Sequence, residues 1–390
     1  MKLKRILYLS DMVGLGGGEI SLINHLSNID RNKFLPVVLC PITGMLTDEL
    51  LKIGIETKKV YWKRIRKLYG PILYYPFFSF IRLLSFLKNE SVDVVNANSF
   101  NAMTLIAPAA KLLDIPMIWT CHGWWPTGKA SGIFINHFVD KVIAVSGFVK
   151  NKLLMEGFVT SQKIIKIHLG IDHSKYSNVG SGKAVRREFH ISKNVPVVGM
   201  IGRFQKIKGH NVFVRMATEI IKKHYNVQFM MIGSEVFGDS SESDYGREIH
   251  NLIMKNGLGE KIVLTGFRYD IPRILKALNV LVVPSEVETF GMVVLEAMAT
   301  GIPVVSCAQG GPREIIQNGK NGFIINEQNH KELAKKVVFL LENPHIRETM
   351  GLNGKRHVAD HYQIRDQVNK IESLYLSLLN KPHYENINHQ

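Results

Sequence analysis

One stretch of the sequence, residues 282–325, constrains the fold more than any other. An apolar run of β-branched residues ends at Pro284, and a short acidic loop follows. Phe290 then begins a segment of strong helix formers that ends at Gly301, and a second apolar strand follows directly. The pattern predicts a strand, loop, helix and strand within a parallel sheet. Such sheets bind their ligands at the carboxyl ends of the strands.

The start of this predicted helix has the properties of an anion site. The main-chain N–H groups of Gly291, Met292 and Val293 would point outward at the positive end of the helix dipole. Glu288 precedes this point, and Glu296 lies about one and a half turns into the helix. Two carboxylates would therefore flank one anion. The spacing alone leaves an alternative open, in which Glu288 caps the helix and Glu296 is a solvated surface residue.

The same segment resembles a known family. Glu288 and Glu296 are separated by seven residues, and the sequences GGPRE (310–314) and GKNG (319–322) follow them. This pattern resembles the nucleotide-sugar-dependent glycosyltransferases of group 1, which have the GT-B fold, and in particular the retaining family 4. The resemblance implies that Glu288 contacts the transferred sugar and that Glu296 holds the ribose hydroxyls of the nucleotide. It also implies that the helix start, from Phe290 onward, binds the donor phosphates.

A second motif follows the predicted strand that begins near Val195. Arg203 offers a planar fork of donors and Lys208 a point charge, five residues apart, which suits a diphosphate. A solvated basic loop is the alternative. The resemblance implies that both cations bind the donor phosphates, and they would stabilise the departing nucleoside diphosphate without a metal ion. Residues 266–268, Gly-Phe-Arg, follow another strand and are candidates for the nucleotide base pocket.

The first half of the chain carries two further candidate sites. Gly16, Gly17 and Gly18 lie between a strand and a helix, although they lack the GxGxxG order of a dinucleotide fingerprint. The resemblance assigns them to a loop that faces the donor diphosphate and the acceptor. His122 ends another strand and is either a structural histidine or, as the resemblance implies, a contact to the transferred sugar. The tryptophans at 124 and 125 would form an aromatic wall or pack against a neighbouring loop.

The order of the predicted elements indicates an α/β protein with two domains. Apolar strands alternate with helical stretches before and after the Gly/Ser-rich stretch 177–182, which we predict to be the hinge. The resemblance implies a GT-B architecture, with two facing Rossmann-like doubly wound domains and a cleft between them. The expected divisions are an N-terminal acceptor-side domain (1–176), a C-terminal nucleotide-sugar domain (177–361), and a last helix that crosses back to the first domain, with a polar tail (362–390).

Composition restricts the class of protein. With 390 residues, 46% of them hydrophobic, the chain can bury the cores of two domains. The three cysteines are far apart, so the sequence shows neither a disulfide framework nor a zinc spacing, and we expect no metal site and no cofactor. We recognise no signal peptide and no run of about 20 apolar residues. We therefore expect a cytoplasmic protein.

The formal net charge of +16 favours polyanionic partners. No helix-turn-helix, zinc-finger or RNP pattern accompanies this charge, so we do not expect nucleic acid binding. Residues 58–88 combine a basic cluster with Tyr61, Trp62 and a following aromatic-rich run, as in segments that attach to an anionic membrane surface. The same run is equally consistent with an amphipathic helix packed against the first sheet. In the first case the protein would work at the inner face of the cytoplasmic membrane.

The resemblance, together with these features, predicts a glycosyltransferase. We expect it to move a hexosyl or N-acetylhexosaminyl group from a nucleoside-diphosphate sugar, which is a co-substrate, to a hydroxyl of a glycan or lipid-linked acceptor. The resemblance implies retention of the anomeric configuration and a role in bacterial-type capsule, O-antigen or exopolysaccharide synthesis. Two alternatives remain at this stage. One is a sugar-nucleotide epimerase of related fold, and the other is a noncatalytic protein that binds sugar nucleotides or serves as a membrane scaffold.

Overall fold

The computed structural model describes residues 3–11, 14–62, 77–123, 128–177, 179–223, 226–234 and 240–380. The chain divides into two compact units. The first unit contains residues 1–170 and 364–390, and the second contains residues 171–363. The expected basic cluster, residues 58–67, is described only as far as residue 62, and the tryptophans at 124 and 125 and the polar tail from 382 lie outside the described residues.

The first unit is built on a parallel sheet. Among its described residues, seven strands pair in the order β3-β2-β1-β4-β5-β6-β7. Their apolar residues are almost all buried, as expected for strands covered by helices on both faces. The strands are β1 (Lys4–Leu9), β2 (Phe34–Cys40), β3 (Glu56–Lys59), β4 (Val94–Ala97), β5 (Met117–Cys121), β6 (Lys141–Ala144) and β7 (Ile164–Lys166). The helices between them are α1 (Gly17–Leu26), α2 (Met45–Lys52), α3 (Phe77–Asn89), α4 (Phe100–Leu112), α5 (Lys129–Phe138) and α6 (Gly147–Met155).

The second unit repeats this architecture. Its described residues form a six-stranded parallel sheet and a separate two-stranded ladder. The helices are α7 (Ser174–Ser177), α8 (Lys183–Glu188), α9 (His210–Ile221), α10 (Ser240–Lys255), α11 (Ile271–Ala277), α12 (Met292–Ala299), α13 (Pro312–Ile315), α14 (His330–Glu342) and α15 (Pro344–His361). The strands are β8 (Val197–Ile201), β9 (Gln228–Ile232), β10 (Ile262–Leu264), β11 (Val280–Val283), β12 (Val287–Glu288), β13 (Val304–Ser306), β14 (Gln309–Gly310) and β15 (Gly322–Ile324).

The strand orders establish the fold class. The main sheet of the second unit has the order β10-β9-β8-β11-β13-β15, and β12 pairs with β14 beside it. In both units the strand order reverses at a central strand, which is the feature that defines a doubly wound sheet. The expected α/β class with two Rossmann-like parallel-sheet domains is therefore confirmed.

The boundary between the units differs from the expected one. The first unit ends at Gly170, not at residue 176, because Tyr176 on α7 is buried within the second unit. Gly182, at the end of the predicted hinge 177–182, is also not part of a plain linker. A Cβ at Gly182 would lie 2.3 Å from the main-chain nitrogen of Ala277, so this glycine packs tightly against α11. The second unit ends at Gln363 instead of residue 361.

The last helix, α16 (Ile364–Leu379), belongs to the first unit. The hydroxyl of Tyr375 donates to the hydroxyl of Tyr8 at 3.0 Å and accepts from the Asn96 side chain at 2.8 Å. Gln367 accepts a hydrogen bond from the Gly170 N–H. These buried polar contacts join α16 to β1, β4 and the end of the first segment of the unit.

Helix α3 has one buried and one exposed face. Leu83 and Leu87 are buried, whereas Phe78 is 79% exposed and Ile81 is also exposed. The packing of α3 against α4 agrees with the expectation of an amphipathic helix on the first sheet. Over the described part of the chain, we find no helix with both the length and the apolar character needed to cross a bilayer.

Candidate functional site

The loop after β8 brings a lysine to the carboxyl end of the second sheet. Lys208 ends a single 3-10 turn, and Gly209 follows with a φ of +74° before α9 begins. A Cβ at Gly209 would lie 2.2 Å from the Pro284 carbonyl oxygen, so only glycine allows this approach. The close contact between the loops after β8 and β11 places the Lys208 side chain beside residues 285–288.

Lys208 and Glu288 form an ion pair in this position. The Lys208 Nζ lies 2.7 Å from the Glu288 Oε1, and both side chains are mostly buried. The Ser285 hydroxyl donates to the same Oε1 at 2.8 Å. Glu288 therefore does not cap α12, as one reading of the sequence allowed. It is held at the end of β12 by a cation and a hydroxyl.

Arg203 lies in the same loop as Lys208 but differs from it in its contacts. It is half-buried and forms no ion pair with a described residue, so its guanidinium could bind an anion.

Arg268, a candidate for the base pocket, already has hydrogen-bond partners for its guanidinium. It is held by Asp270 and by both oxygens of Glu188, and these bonds raise its pKa. Arg268 thus connects α8 to the loop before α11.

α12 begins where the sequence predicts a helix to start. Gly291 is the N-cap with a φ of +94°, and no side chain caps the helix. Met292 and Val293, the first two helical residues, are half-buried. Phe290, which we also expected at the donor site, is buried with its ring 6.2 Å from that of Tyr362. Its side chain therefore supports the loop, and only its main chain could contact a ligand.

Glu296 is buried, so it is not the solvated surface residue of the alternative interpretation. Only 7% of it is exposed. The Tyr176 hydroxyl donates to its Oε1 at 3.2 Å. Burial raises the pKa of Glu296 to about 7, and the hydrogen bond from Tyr176 acts in the opposite direction. The contact of Tyr176 with Glu296 could not be predicted from the sequence because 120 residues separate the two.

The carboxyl edge of the first sheet brings the glycine loop and His122 together. A Cβ at Gly18 would lie 3.3 Å from the His122 ring. The His122 Nε2 is 2.8 Å from the Asn98 Oδ1, and the Asn98 amide nitrogen donates to the Gly18 carbonyl at 3.4 Å. Asn98 therefore fixes Nε2 as the protonated nitrogen of a neutral ring, since desolvation lowers the pKa of His122 to about 4.

The glycine loop itself is less open to anions than its sequence suggests. The Gly16 N–H donates to the Glu19 side chain at 3.1 Å, which leaves Gly17 and Gly18 as the glycines that could contact a phosphate. Asp11, which the sequence analysis did not single out, is buried and accepts hydrogen bonds from the side chains of Ser99 and Asn101. Among the described residues, no group of three or more His, Cys, Asp or Glu side chains could hold a metal ion.

Two family models match the chain, one for each half. The model described as "Glycosyl transferases group 1" matches residues 183–357, which include Arg203, Lys208, Glu288 and Glu296. The model described as "Glycosyltransferase Family 4" matches residues 15–175, which include Gly16 to Gly18 and His122. The matches therefore extend over all the candidate site residues.

Similar proteins include known glycosyltransferases. The chain is 27% identical over 316 residues to the capsular polysaccharide biosynthesis glycosyltransferase CapM of Staphylococcus aureus, and the match covers 77% of this chain and 81% of the relative. It is 26% identical over 315 residues to the UDP-Gal:alpha-D-GlcNAc-diphosphoundecaprenol alpha-1,3-galactosyltransferase of Escherichia coli, covering 77% and 79% of the two chains.

Solved structures share the fold. The structure of Anabaena Alr3699/HepE in complex with UDP and glucose superposes with a TM-score of 0.85 at 23% identity, covering 95% of this chain and 99% of that one. A glycosyltransferase from Rickettsia africae superposes with a TM-score of 0.84 at 22% identity, covering 98% and 100%. The two family models show that the chain is an enzyme of the group 1 glycosyltransferases, and the solved structures show that it shares their fold, the GT-B fold.

Proposed function

We propose that this glycosyltransferase takes a hexosyl or N-acetylhexosaminyl group from a nucleoside-diphosphate sugar held by the second unit. The observation that carries the proposal is the cluster at the carboxyl edge of that sheet. Arg203 and the Lys208–Glu288 pair lie on loops that meet there, and the uncapped start of α12 follows Glu288 within four residues. The two cations, Arg203 and Lys208, and a helix N-terminus suit a diphosphate.

Each residue has a distinct role in this proposal. Arg203, Lys208 and the N–H groups of Gly291 to Val293 bind the diphosphate, and they stabilise the negative charge that it gains as its bond to the anomeric carbon breaks. Glu296 accepts hydrogen bonds from the ribose hydroxyls. Glu288 contacts the transferred sugar. Support for the donor class comes from Anabaena Alr3699/HepE, which has been solved with UDP and with UDP-glucose.

The reaction exchanges one bond at the anomeric carbon for another. The bond to the diphosphate oxygen breaks, the acceptor hydroxyl oxygen forms the new bond, and the hydroxyl proton leaves with the diphosphate. We propose that the configuration is retained, in keeping with the family 4 match. His122, oriented by Asn98, would contact a hydroxyl of the transferred sugar. We propose no metal ion and no cofactor for these steps.

We further propose a glycan or lipid-linked acceptor at the inner face of the cytoplasmic membrane, within capsule or related polysaccharide synthesis. The names of the S. aureus and E. coli relatives support this acceptor class, since one refers to capsular polysaccharide and the other to a diphosphoundecaprenol. The net charge of +16 and the exposed Phe78 and Ile81 of α3 support contact with an anionic membrane surface. We do not propose a nucleic acid partner.

The deciding experiment incubates the purified protein with a panel of nucleotide sugars. We expect one of them to raise the melting temperature and to release its nucleoside diphosphate slowly by hydrolysis, faster when a lipid-linked acceptor is added. The family matches leave no place for the epimerase or noncatalytic alternatives, so the panel tests the donor class. Absence of turnover for every nucleotide sugar of the panel, with and without the acceptor, would contradict the proposed donor class. Lys208→Ala is the negative control, because it removes a proposed phosphate contact.

A further inference from the structure

Tyr176 is a buried side chain that the proposed reaction does not use. It lies on α7, a short helix that packs against α12, and only 8% of it is exposed. Its hydroxyl is directed at the Glu296 carboxylate and donates to Oε1 at 3.2 Å. The pair therefore connects the first residues of the second unit to the helix that carries the proposed ribose contact.

The surroundings of Glu296 explain why one hydrogen bond matters there. Val294, Leu295, Ala297 and Met298, its neighbours on α12, are all buried apolar residues. Among the described residues, Tyr176 is the one side chain that donates a hydrogen bond to this carboxylate. A buried carboxylate without a donor is strongly disfavoured. The hydroxyl of Tyr176 thus opposes the effect of burial, which raises the pKa of Glu296.

A carboxylate has about four positions at which it can accept hydrogen bonds. Tyr176 occupies one of them on Oε1. No other described side chain donates to this carboxylate, so Oε2 and the second position on Oε1 remain for other donors. The vicinal hydroxyls of a ribose are two adjacent donors of this kind. Holding the carboxylate by one oxygen would also restrict its rotation, so that less entropy is lost when a ligand binds.

We infer that Tyr176 is a positioning residue, which orients the Glu296 carboxylate so that the enzyme selects a ribose in its donor nucleotide. The inference rests on the proposed function, and specifically on the ribose contact of Glu296. Tyr176 itself does not touch the nucleotide. Its removal should therefore weaken binding only of ligands that carry ribose hydroxyls.

The test compares pairs of nucleotides that differ only in those hydroxyls. Calorimetry measures the affinities of uridine and guanosine diphosphate and of their 2′,3′-dideoxy counterparts, for the wild type and for Tyr176→Phe. The wild type should prefer at least one ribonucleotide over its dideoxy form by tenfold or more. In Tyr176→Phe the affinity for that ribonucleotide should fall by about tenfold, whereas the affinity for the dideoxy form should change by less than about twofold.

Tyr362→Phe is the matched control. Tyr362 is a buried tyrosine of the same unit, but its hydroxyl donates to the main-chain carbonyl of Glu314, so its removal should leave the preference for ribose unchanged. Thermal unfolding of both variants checks that the second unit is intact.

The possible outcomes distinguish a failure of the proposed function from a failure of the role of Tyr176. A wild type that binds neither diphosphate, or that shows no preference for ribose, would contradict the proposed donor site or its ribose contact. A wild type with that preference, together with a Tyr176→Phe variant that retains it, would overturn the role of Tyr176 alone. An equal loss of affinity for the ribonucleotide and for its dideoxy form would likewise show that Tyr176 has only a structural role.

Discussion

The Nζ of Lys208 lies 2.7 Å from the Oε1 of Glu288, which makes each of these residues the counter-ion of the other. The two have separate roles in the proposed reaction, one toward the diphosphate and one toward the sugar. A diphosphate that approaches Lys208 therefore competes with Glu288 for the same ammonium group. Ser285, which also donates to Oε1, would continue to hold the carboxylate when the lysine turns to the phosphate.

Removing either proposed phosphate contact should impair catalysis. Arg203→Ala and Lys208→Ala should each lose about 2–4 kcal/mol of transition-state stabilisation, or about 10²–10³-fold in turnover, since the charge that develops on the leaving group loses a cation. Lys206→Ala is the matched control, because Lys206 lies in the same turn with a largely exposed side chain. Near-normal turnover in a folded Arg203→Ala, Lys208→Ala double variant would contradict the phosphate site.

The two glutamates should give different kinetic results when their charge is removed. Glu296→Gln should chiefly weaken nucleotide affinity, because it loses the charged acceptor for ribose. Glu288→Gln should lower turnover while the free nucleoside diphosphate still binds. Calorimetry with the nucleotide and steady-state kinetics with the donor measure the two effects separately. An equal loss of nucleotide affinity in both variants would show that these roles are divided wrongly.

Nucleotide affinity should rise with pH through neutrality. Burial raises the pKa of Glu296 to about 7 from an ordinary value of 4.5, so its carboxylate form is present above pH 7 and is lost as the pH falls. Calorimetry at pH 6 and pH 8 should show an increase of about tenfold, the change expected for one pKa unit. Glu296→Gln is the control, because the nucleotide phosphate itself titrates near about pH 6. The same pH dependence in the variant would rule out Glu296 as its origin.

Acid should destabilise both units through buried histidines. Burial lowers the pKa of His25 and of His210 to about 4 from 6.5. Between these values the unfolded chain binds protons that the folded chain does not. The free energy of unfolding therefore decreases as the pH falls, by about 2 kcal/mol for each histidine between pH 7 and pH 5.

Urea unfolding at pH 7 and pH 5 measures this effect. His25→Gln and His210→Gln should each reduce the pH dependence of the unfolding free energy, whereas His250→Gln, at an exposed position, serves as the control. A pH dependence that none of these substitutions alters would place its origin in other groups.

Membrane attachment should depend on the basic cluster between residues 58 and 67. Each Lys or Arg near an anionic surface contributes about 1 kcal/mol. Co-sedimentation with vesicles should therefore require anionic lipid, fall at high ionic strength and weaken when four residues are changed to Glu. These residues are Lys63, Arg64, Arg66 and Lys67.

A variant of equal net charge tests whether the position of the cluster matters. In it, four lysines of the second unit are changed to Glu: Lys222, Lys223, Lys335 and Lys336. This variant should retain vesicle binding. Equal recovery with neutral and anionic vesicles would instead favour a soluble acceptor.

The features that could be predicted from sequence are those that depend on neighbouring residues. Apolar strands that end in glycine or polar residues identify both parallel sheets, and the residues proposed for the donor site follow directly after strands. The ion pair of Lys208 with Glu288 could not be predicted in the same way. It requires the main chain at Gly209 to approach Pro284, a contact between loops that are distant in sequence.

The burial of Glu296 also could not be predicted from the local sequence pattern. α12 is apolar on nearly every side, so the helix has no polar face that could expose a glutamate. The partner that compensates for this burial, Tyr176, lies before a Gly/Ser-rich stretch that resembles a hinge. Only the packing of α7 on α12 shows that the residue belongs to the second unit.

The position of α16 has a consequence for synthesis of the chain. The second unit is one continuous segment, residues 171–363, whereas the first is made of two segments, 1–170 and 364–390. Tyr8 and Asn96 are translated before the second unit, and their shared partner Tyr375 is translated after it. The second unit can therefore complete its core without α16, and the first unit cannot. The part of the enzyme that is made first should be the part that finishes folding last.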